Sequence, residues 1–250
     1  MRLIKKIVGL FGYDLINKKK QLTLDAHLLR VINSLDINVV LDVGANIGVY
    51  GKKLRKMGYK GIIISFEPVS SVYNLLKLCT AKDTHWIACH YALGTEEKTM
   101  EINVFPDSSL SSFKNPNAYG ASQFSLNPDI VKIETVQVKT LAQVLPNLLA
   151  SHSIAQPRIF LKMDTQGYDA EVIKGCGNQL SSILGIQSEI SLKPIYDNML
   201  DYKKSLELYE NLGFEISGLY PVSRDKKTLA IIEIDCVLLR HSTYPNLEFQ

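Results

Sequence analysis

The stretch VVLDVGANIGVYG, residues 39–51, decides how the rest of the chain is read. Val39, Val40 and Leu41 form an apolar run that ends at Asp42, and a loop with Gly44 and Gly48 leads into a helical stretch beginning near Ile47. A strand, a glycine loop and a helix in that order make the corner, at the carboxyl end of a parallel strand, where α/β proteins place nucleotides. Two common ligands of that corner fit poorly. The dinucleotide fingerprint G-x-G-x-x-G needs a glycine where Asn46 stands, and a P-loop needs a hydroxyl after Gly51-Lys52, where Lys53 stands.

S-adenosylmethionine fits better. It has no phosphate, so the loop must leave room for an amino acid tail, offer an acceptor for its ammonium, and hold a sulfonium beside backbone. Asp42 is the candidate acceptor, directly or through water; Gly44 and Gly48 give room, with Ala45 and Asn46 between them. The next apolar run ends in ISFEP, which places Glu67 nineteen residues after Gly48, where an acid can accept hydrogen bonds from both ribose hydroxyls. A loop of this kind also occurs as a plain helix cap with no ligand. That reading and a nicotinamide oxidoreductase both stay open on these residues alone.

Outward from this corner, apolar runs alternate with helical stretches whose apolar residues recur at three and four spacing. Strands are expected at 39–43, 61–66, 85–89, 159–163 and 183–190, and helices from about Ile47, Ser70, Tyr168 and Tyr202. Such alternation predicts a mostly parallel sheet covered on both faces. FEISGLYPV and TLAIIEIDCVLLR, joined by the polar SRDKK, predict a closing antiparallel pair. Residues 97–139 break the rhythm: KTMEINVF and IVKIETVQVKT alternate as strands around a Ser-, Asn- and Pro-rich segment, 107–129, that reads as a long binding loop. The expected organisation is an amphipathic helical segment at 1–36, one domain at 37–240 with that β-hairpin and acceptor loop inserted, and a tail at 241–250.

A second stretch, FLKMDTQGYDAEVIKG at 160–175, repeats the grammar with Asp164 at the strand end and Gly167 in the turn. Together with LDVGANIGVYG, SFEP, ALG at 92–94, SEISLKPIYDN, NLGFEISGLYP and IDCVLLR, it resembles the FkbM family of S-adenosylmethionine-dependent methyltransferases over roughly residues 37–240. The resemblance implies a Rossmann-like class I methyltransferase fold: a mostly parallel seven-stranded sheet with an antiparallel C-terminal pair and helices on both faces. It implies O-methylation of a sugar or other hydroxyl in surface polysaccharide or natural-product pathways. It also brings Pro68, Ala92, Leu93 and Asp164 to the cofactor, and Ser109 and Ser112 of SSLSS, Gln166 and Tyr196 are the candidate acceptor contacts, with loop packing an equal reading for Tyr196.

Methyl transfer to a hydroxyl is an in-line displacement that needs alignment and removal of a proton. Asp164 and Glu189, at the ends of neighbouring strands, are the candidate catalytic carboxylates. Each has a plainer reading: Asp164 as a cap of the helix near Tyr168, with Asp169 and Glu171 favouring its dipole, and Glu189 as a structural acid. Lys162 reads as a carboxylate's partner and Trp86 as core packing. His27 and His152 read as surface residues and His85 and His90 as flanking a strand, so no histidine base is expected. No spaced ligand triad is visible, so no metal is expected.

Composition sets the remaining expectations. Hydrophobic residues make up 46% and charged residues 21%, ordinary for a globular protein, and a net charge of +3 gives no reason to expect nucleic acid. Cys79, Cys89, Cys176 and Cys236 are widely spaced with no CxxC pair, which suits a reducing cytoplasm. No apolar run reaches the roughly 20 residues of a bilayer span. MRLIKKIVGLFGYDLINKKK, residues 1–20, interleaves Leu3, Ile4, Ile7, Val8, Leu10 and Phe11 with basic residues. A stripe of this size is commonly a core-facing helix; the other reading is an interfacial helix on the inner face of an anionic membrane.

Overall fold

The computed structural model describes residues 2–13, 22–126 and 132–241. The tail at 242–250, Lys18–Lys20 and the end of the expected acceptor loop lie outside the described residues. In chain order the elements are α1 (Arg2–Leu10), α2 (Leu24–Ser34), β1 (Val39–Val43), α3 (Val49–Lys56), β2 (Ile62–Phe66), α4 (Ser70–Thr80), β3 (Trp86–Cys89) and β4 (Ala92–Leu93). They continue as β5 (Lys98–Val104), α5 (Ala118–Phe124), β6 (Lys132–Lys139), α6 (Leu141–Ser151), β7 (Ile159–Met163), α7 (Asp169–Lys174), β8 (Ile183–Ser191), α8 (Tyr202–Asn211), β9 (Phe214–Arg224) and β10 (Ile231–Arg240).

Seven strands form the main sheet in the order β3-β2-β1-β7-β8-β10-β9. The first five run parallel, and β10 is antiparallel to both β8 and β9. The strand order reverses between β1 and β7, so the loops after both strands open at one edge, where α/β sheets bind ligands. This is the expected fold, with strand bounds differing by a residue or two.

Apolar residues alternate between the two faces because successive strand side chains point oppositely. On one face Leu41, Ile64 and Leu161 pack against α6, α7 and α8 through Leu145, Val172 and Tyr209. On the other, Val40, Ile63 and Phe160 pack against α2 and α3 through Leu28, Val31 and Leu54. That second face is apolar until its last rung, where Ser65, Asp42, Lys162 and Gln187 stand side by side across β2, β1, β7 and β8. All four are buried.

β5 and β6 of the insertion pair antiparallel and form, with β4, a separate three-stranded sheet in the order β4-β6-β5. The described part of the segment between β5 and β6, up to Leu126, carries more regular structure than its composition suggests. Asp107 caps a short 3-10 turn at Ser108–Leu110, and Asn117 caps α5 by accepting from the Gly120 amide. Ser- and Asn-rich sequence here reflects helix caps as much as loop.

Two expectations are corrected. His27 is buried: its ring lies 2.9 Å from Ser217 Oγ and 2.9 Å from Tyr220 Oη, so it ties α2 to β9. On α1, Ile4, Ile7 and Leu10 are exposed rather than packed on the domain, and Val8 is half-buried.

Trp86 is buried as expected, and its indole N–H also donates to Ser65 Oγ at 2.9 Å. The ring occupies the space a side chain at Gly51 would need, since a Cβ there would lie 2.1 Å from Trp86 Cζ2. Alanine for glycine inside a helix ordinarily stabilises by about 1 kcal/mol. Here overpacking prevails, and Gly51→Ala is expected to lower stability by about 1–3 kcal/mol in denaturant unfolding.

Candidate active site

The loop after β1 is built from backbone that favours glycine. Gly44 has φ +73°, and a Cβ on it would sit 2.0 Å from the carbonyl oxygen of Asp164, so β1 and β7 approach too closely there for any side chain. The Gly44 and Ala45 amides both donate to Phe66 O at 3.1 Å, which folds the loop back over β2. Gly48, at φ +81°, starts α3. Asn46 adopts φ 48° without being glycine, an uncommon conformation that aims its amide at Glu67 Oε2, 2.9 Å away.

Glu67 is buried at the end of β2 and accepts a second amide, from Val69, on Oε1 at 2.9 Å. Burial pushes its pKa up to about 7, and the two amides offset only part of that rise. An ionised carboxylate has about four acceptor positions. Two are filled by backbone, so both oxygens keep room for a further donor.

Gly44, Asn46, Glu67, Pro68, Ala92, Leu93 and Asp164 line one cleft enclosing about 650 Å³, roofed by Ser108, Ser109, Ser112 and Phe113 of the insertion. The insertion is tied down at both ends of that roof. Asn46 donates its side-chain Nδ2 to Ser108 Oγ at 3.1 Å, and Ser112 Oγ donates to Gln166 O at 2.8 Å. A polar diol acceptor at one wall, apolar surface at Ala92, Leu93 and Phe113, and a backbone corner without side chains together fit S-adenosylmethionine.

Three of the expected cofactor residues are not on this wall. Ala45 lines a neighbouring cavity, and Gly48 faces Leu76 and Trp86. Asp42 lies fully buried beneath the loop, where Ser65 Oγ donates to Oδ2 at 3.1 Å and Lys162 Nζ stands 3.2 Å from Oδ1. That ion pair supplies charge but not a well-aimed donor, and Oδ1 has no hydrogen bond.

Lys162 pairs with carboxylates, as its sequence context suggests. Its ammonium also donates to Gly44 O at 3.3 Å and reaches Asp164 Oδ2 at 3.5 Å, with the Tyr50 ring centroid 5.4 Å away. Burial works against this charge, yet Asp42 and Asp164 hold its pKa above the ordinary lysine value.

Asp164 does not cap α7. The cap position belongs to Tyr168, without a side-chain bond, while Asp164 Oδ1 accepts from Gln166 Nε2 at 3.0 Å. Asp169 is likewise more than a dipole partner: it is buried and accepts from Thr165 Oγ1 and, at 2.5 Å, from Ser188 Oγ. Asp164 and Glu189 share a second cavity of about 1090 Å³ that meets the first at Gly44, Asn46, Ser108 and Ser109. Burial, then the charges of Asp164 and Glu233, raise the pKa of Glu189 above the carboxylate range and favour its protonated form.

The other wall of that cavity escaped the sequence reading. Tyr50 Oη donates to Gln187 Oε1 at 3.1 Å, and Gln187 Nε2 donates to Asp235 Oδ1 at 2.7 Å. A glutamine and an aspartate inside the apolar runs ILGIQSEIS and IIEIDCVLLR were the available signal. Of the expected acceptor residues, Ser109, Ser112 and Gln166 reach the first cleft, but Tyr196 is buried against Phe105 and Ile232, with its hydroxyl 2.8 Å from Leu110 O and 3.0 Å from Gln166 Oε1. Among the described residues no group of three or more His, Cys, Asp or Glu is arranged to hold a metal.

This strand order, with a glycine corner and an acid at the end of the next strand, defines a class I methyltransferase. The chain belongs to the FkbM methyltransferase family, whose Methyltransferase FkbM domain matches residues 42–216. It is therefore an S-adenosylmethionine-dependent methyltransferase, and the nicotinamide reading falls away. No curated protein sequence matches the chain. Among solved structures it is similar to magnesium protoporphyrin IX methyltransferase from Synechocystis, at 9% identity and TM-score 0.46 over 95% of this chain and 90% of that one. It is also similar to precorrin-6y C5,15-methyltransferase from Geobacter metallireducens, at 12% identity and TM-score 0.44 over 90% and 93%. Fibrillarin from Aeropyrum pernix, in complex with S-adenosyl-L-methionine, matches at 10% identity and TM-score 0.44 over 81% and 66%.

Glu67 gives this site a testable pH signature without any ligand. Its folded pKa of about 7 lies above the ordinary 4.5, so the fold favours the protonated acid. That contribution is complete below pH 4.5 and is lost as pH rises through about 7. The melting temperature of the cofactor-free protein is expected to fall relative to that of Glu67→Gln across this window; parallel curves would mean that Glu67 does not titrate there.

Proposed function

We propose that the chain transfers a methyl group from S-adenosylmethionine to a hydroxyl oxygen of a sugar or related polyol. The observation that carries this reading is the pair Asp164 and Glu189 in the cavity that adjoins the cofactor cleft. When bound, S-adenosylmethionine supplies an electrophilic methyl group. The protein must then hold an acceptor oxygen in line and take its proton.

In this reading Glu67 holds both ribose hydroxyls, Gly44 and Asn46 hold the amino acid end, and Ala92 and Leu93 face the adenine. Asp164, kept in place by Gln166 and Lys162, accepts the hydroxyl proton as the new C–O bond forms and the methyl–sulfur bond breaks to leave a neutral thioether. Glu189, in its protonated form, donates a hydrogen bond that orients the acceptor. Such positioning and general base catalysis contribute roughly 10²- to 10⁴-fold.

The acceptor cavity supports a polyol. Asp107, Ser108, Ser109, Gln187 and Asp235 line it and offer hydrogen-bond partners for several hydroxyls, beside apolar side chains at Leu24, Ile47, Val49 and Val222 that can meet the carbon face of a ring. The domain at 37–240, with the insertion at 97–139 choosing the acceptor, is the unit we assign this activity.

Mass spectrometry of candidate glycans incubated with the protein and methyl-labelled S-adenosylmethionine tests the reading; a gain of one methyl on oxygen is expected, and a methyl on nitrogen or carbon would overturn it. Asp164→Asn keeps the shape and should retain melting and cofactor binding while turnover drops at least about a hundredfold. Glu67→Ala should weaken cofactor binding by about 1.5–3 kcal/mol in calorimetry. It should also abolish a rise in affinity as pH passes through about 7, because the ribose hydroxyls donate to the ionised acid.

A further inference from the structure

The function of the domain leaves α1 unexplained. Its exposed side chains are the wrong kind for solvent: Ile4 is 57% exposed, Ile7 49%, Leu10 84%, and in the following turn Phe11 is 75% and Tyr13 70% exposed. Ile4, Ile7 and Phe11 follow three- and four-residue spacing, which puts them on one side of a helix. Lys6 is also exposed, and the sequence adds Arg2 and Lys5 off that apolar line.

Charge indicates what this face meets. Residues 1–20 hold six of the 28 basic residues and one of the 25 acids, Asp14, which leaves 22 basic against 24 acidic in the remainder. The positive excess of the whole chain therefore lies in this segment. A second copy of the same segment would repel it. An anionic surface with an apolar interior matches both its charge and its exposed side chains.

We propose that α1 is an interfacial anchor that lies in the plane of an anionic phospholipid bilayer. Ile4, Ile7, Leu10 and Phe11 enter the acyl boundary, Lys6 meets the headgroups, and Tyr13 sits at headgroup level, where tyrosine is favoured. Among the described residues no helix is long and apolar enough to cross the membrane, so the contact is peripheral. A short helix with few basic residues gives reversible binding, which holds the methyltransferase domain at the surface without fixing it there.

The test is flotation of the full chain with vesicles of phosphatidylcholine and phosphatidylglycerol, beside vesicles of phosphatidylcholine alone. The protein is expected to float with the anionic vesicles, to stay down with the neutral ones, and to be released by salt. Lys6→Gln should lower partitioning about fivefold, the equivalent of about 1 kcal/mol per basic residue near a surface. Ile7→Glu with Phe11→Glu should lower it at least about tenfold. Both variants leave the melting temperature unchanged, since these side chains touch no core. Failure of the wild type to float, equal flotation on both vesicle types, or a double variant that floats as the wild type does would each overturn the anchor. So would an α1-dependent dimer that does not float. None of these outcomes bears on the methyl acceptor, because the variants lie outside the catalytic domain.

Discussion

The ion pair between Asp42 and Lys162 is the constraint around which the site is arranged. Both groups sit on adjacent strands in the interior, Asp42 with no exposure and Nζ 3.2 Å from its Oδ1. Removing one partner of such a pair typically costs about 3–5 kcal/mol, while replacing both by apolar residues is often neutral. Stability alone therefore does not account for it. The ammonium also holds the carbonyl of Gly44 and the carboxylate of Asp164, so one cation fixes the cofactor loop and the proposed base relative to each other. An apolar pair could fill the space but could not tie those two ends together.

The same arrangement divides the acids at this sheet edge into different roles. Glu67 is buried with two amides directed at it, and its pKa of about 7 makes it a strong acceptor that still exchanges its proton near neutrality. Glu189 is buried and lies near Asp164 and Glu233, both of which favour its protonated form. Asp164 has the Lys162 ammonium 3.5 Å from its Oδ2. Three carboxyl groups at one edge thus become a ribose acceptor, a hydrogen-bond donor and a proton acceptor in the proposed reaction, through differences in burial and partners.

Much of this was legible in the sequence, and the reasons for the misses are specific. Gly44 and Glu67 follow a local spacing rule, and the parallel sheet follows from repeated apolar runs, so both could be read along the chain. Asp42 could be placed at a strand end, but its side was set by strand register: opposite Ser65 and Lys162 it points into the sheet's second face, below the loop rather than into the cleft. Gln187 and Asp235 are 48 residues apart and meet only because β10 pairs antiparallel with β8. His27 looked like a surface residue on an amphipathic helix until β9 packed over it. Contacts at that sequence distance depend on topology, which periodicity does not specify.

The insertion is where topology and chemistry join. Two residues that are not glycine take left-handed backbone beside the cleft, Asn46 at φ 48° and Gln166 at φ 51°. Each such conformation costs on the order of 1–3 kcal/mol and persists when its surroundings hold it. Here the same insertion holds both, through Ser108 on Asn46 and Ser112 on Gln166, four residues apart in one short turn. Asn46 in turn aims its amide at Glu67, and Gln166 aims its side chain at Asp164. A change in the insertion that shifts Ser108 or Ser112 is therefore transmitted to Glu67, the proposed ribose acceptor, and to the proposed base together. In the proposed reaction, acceptor choice and cofactor geometry are coupled through these two serines.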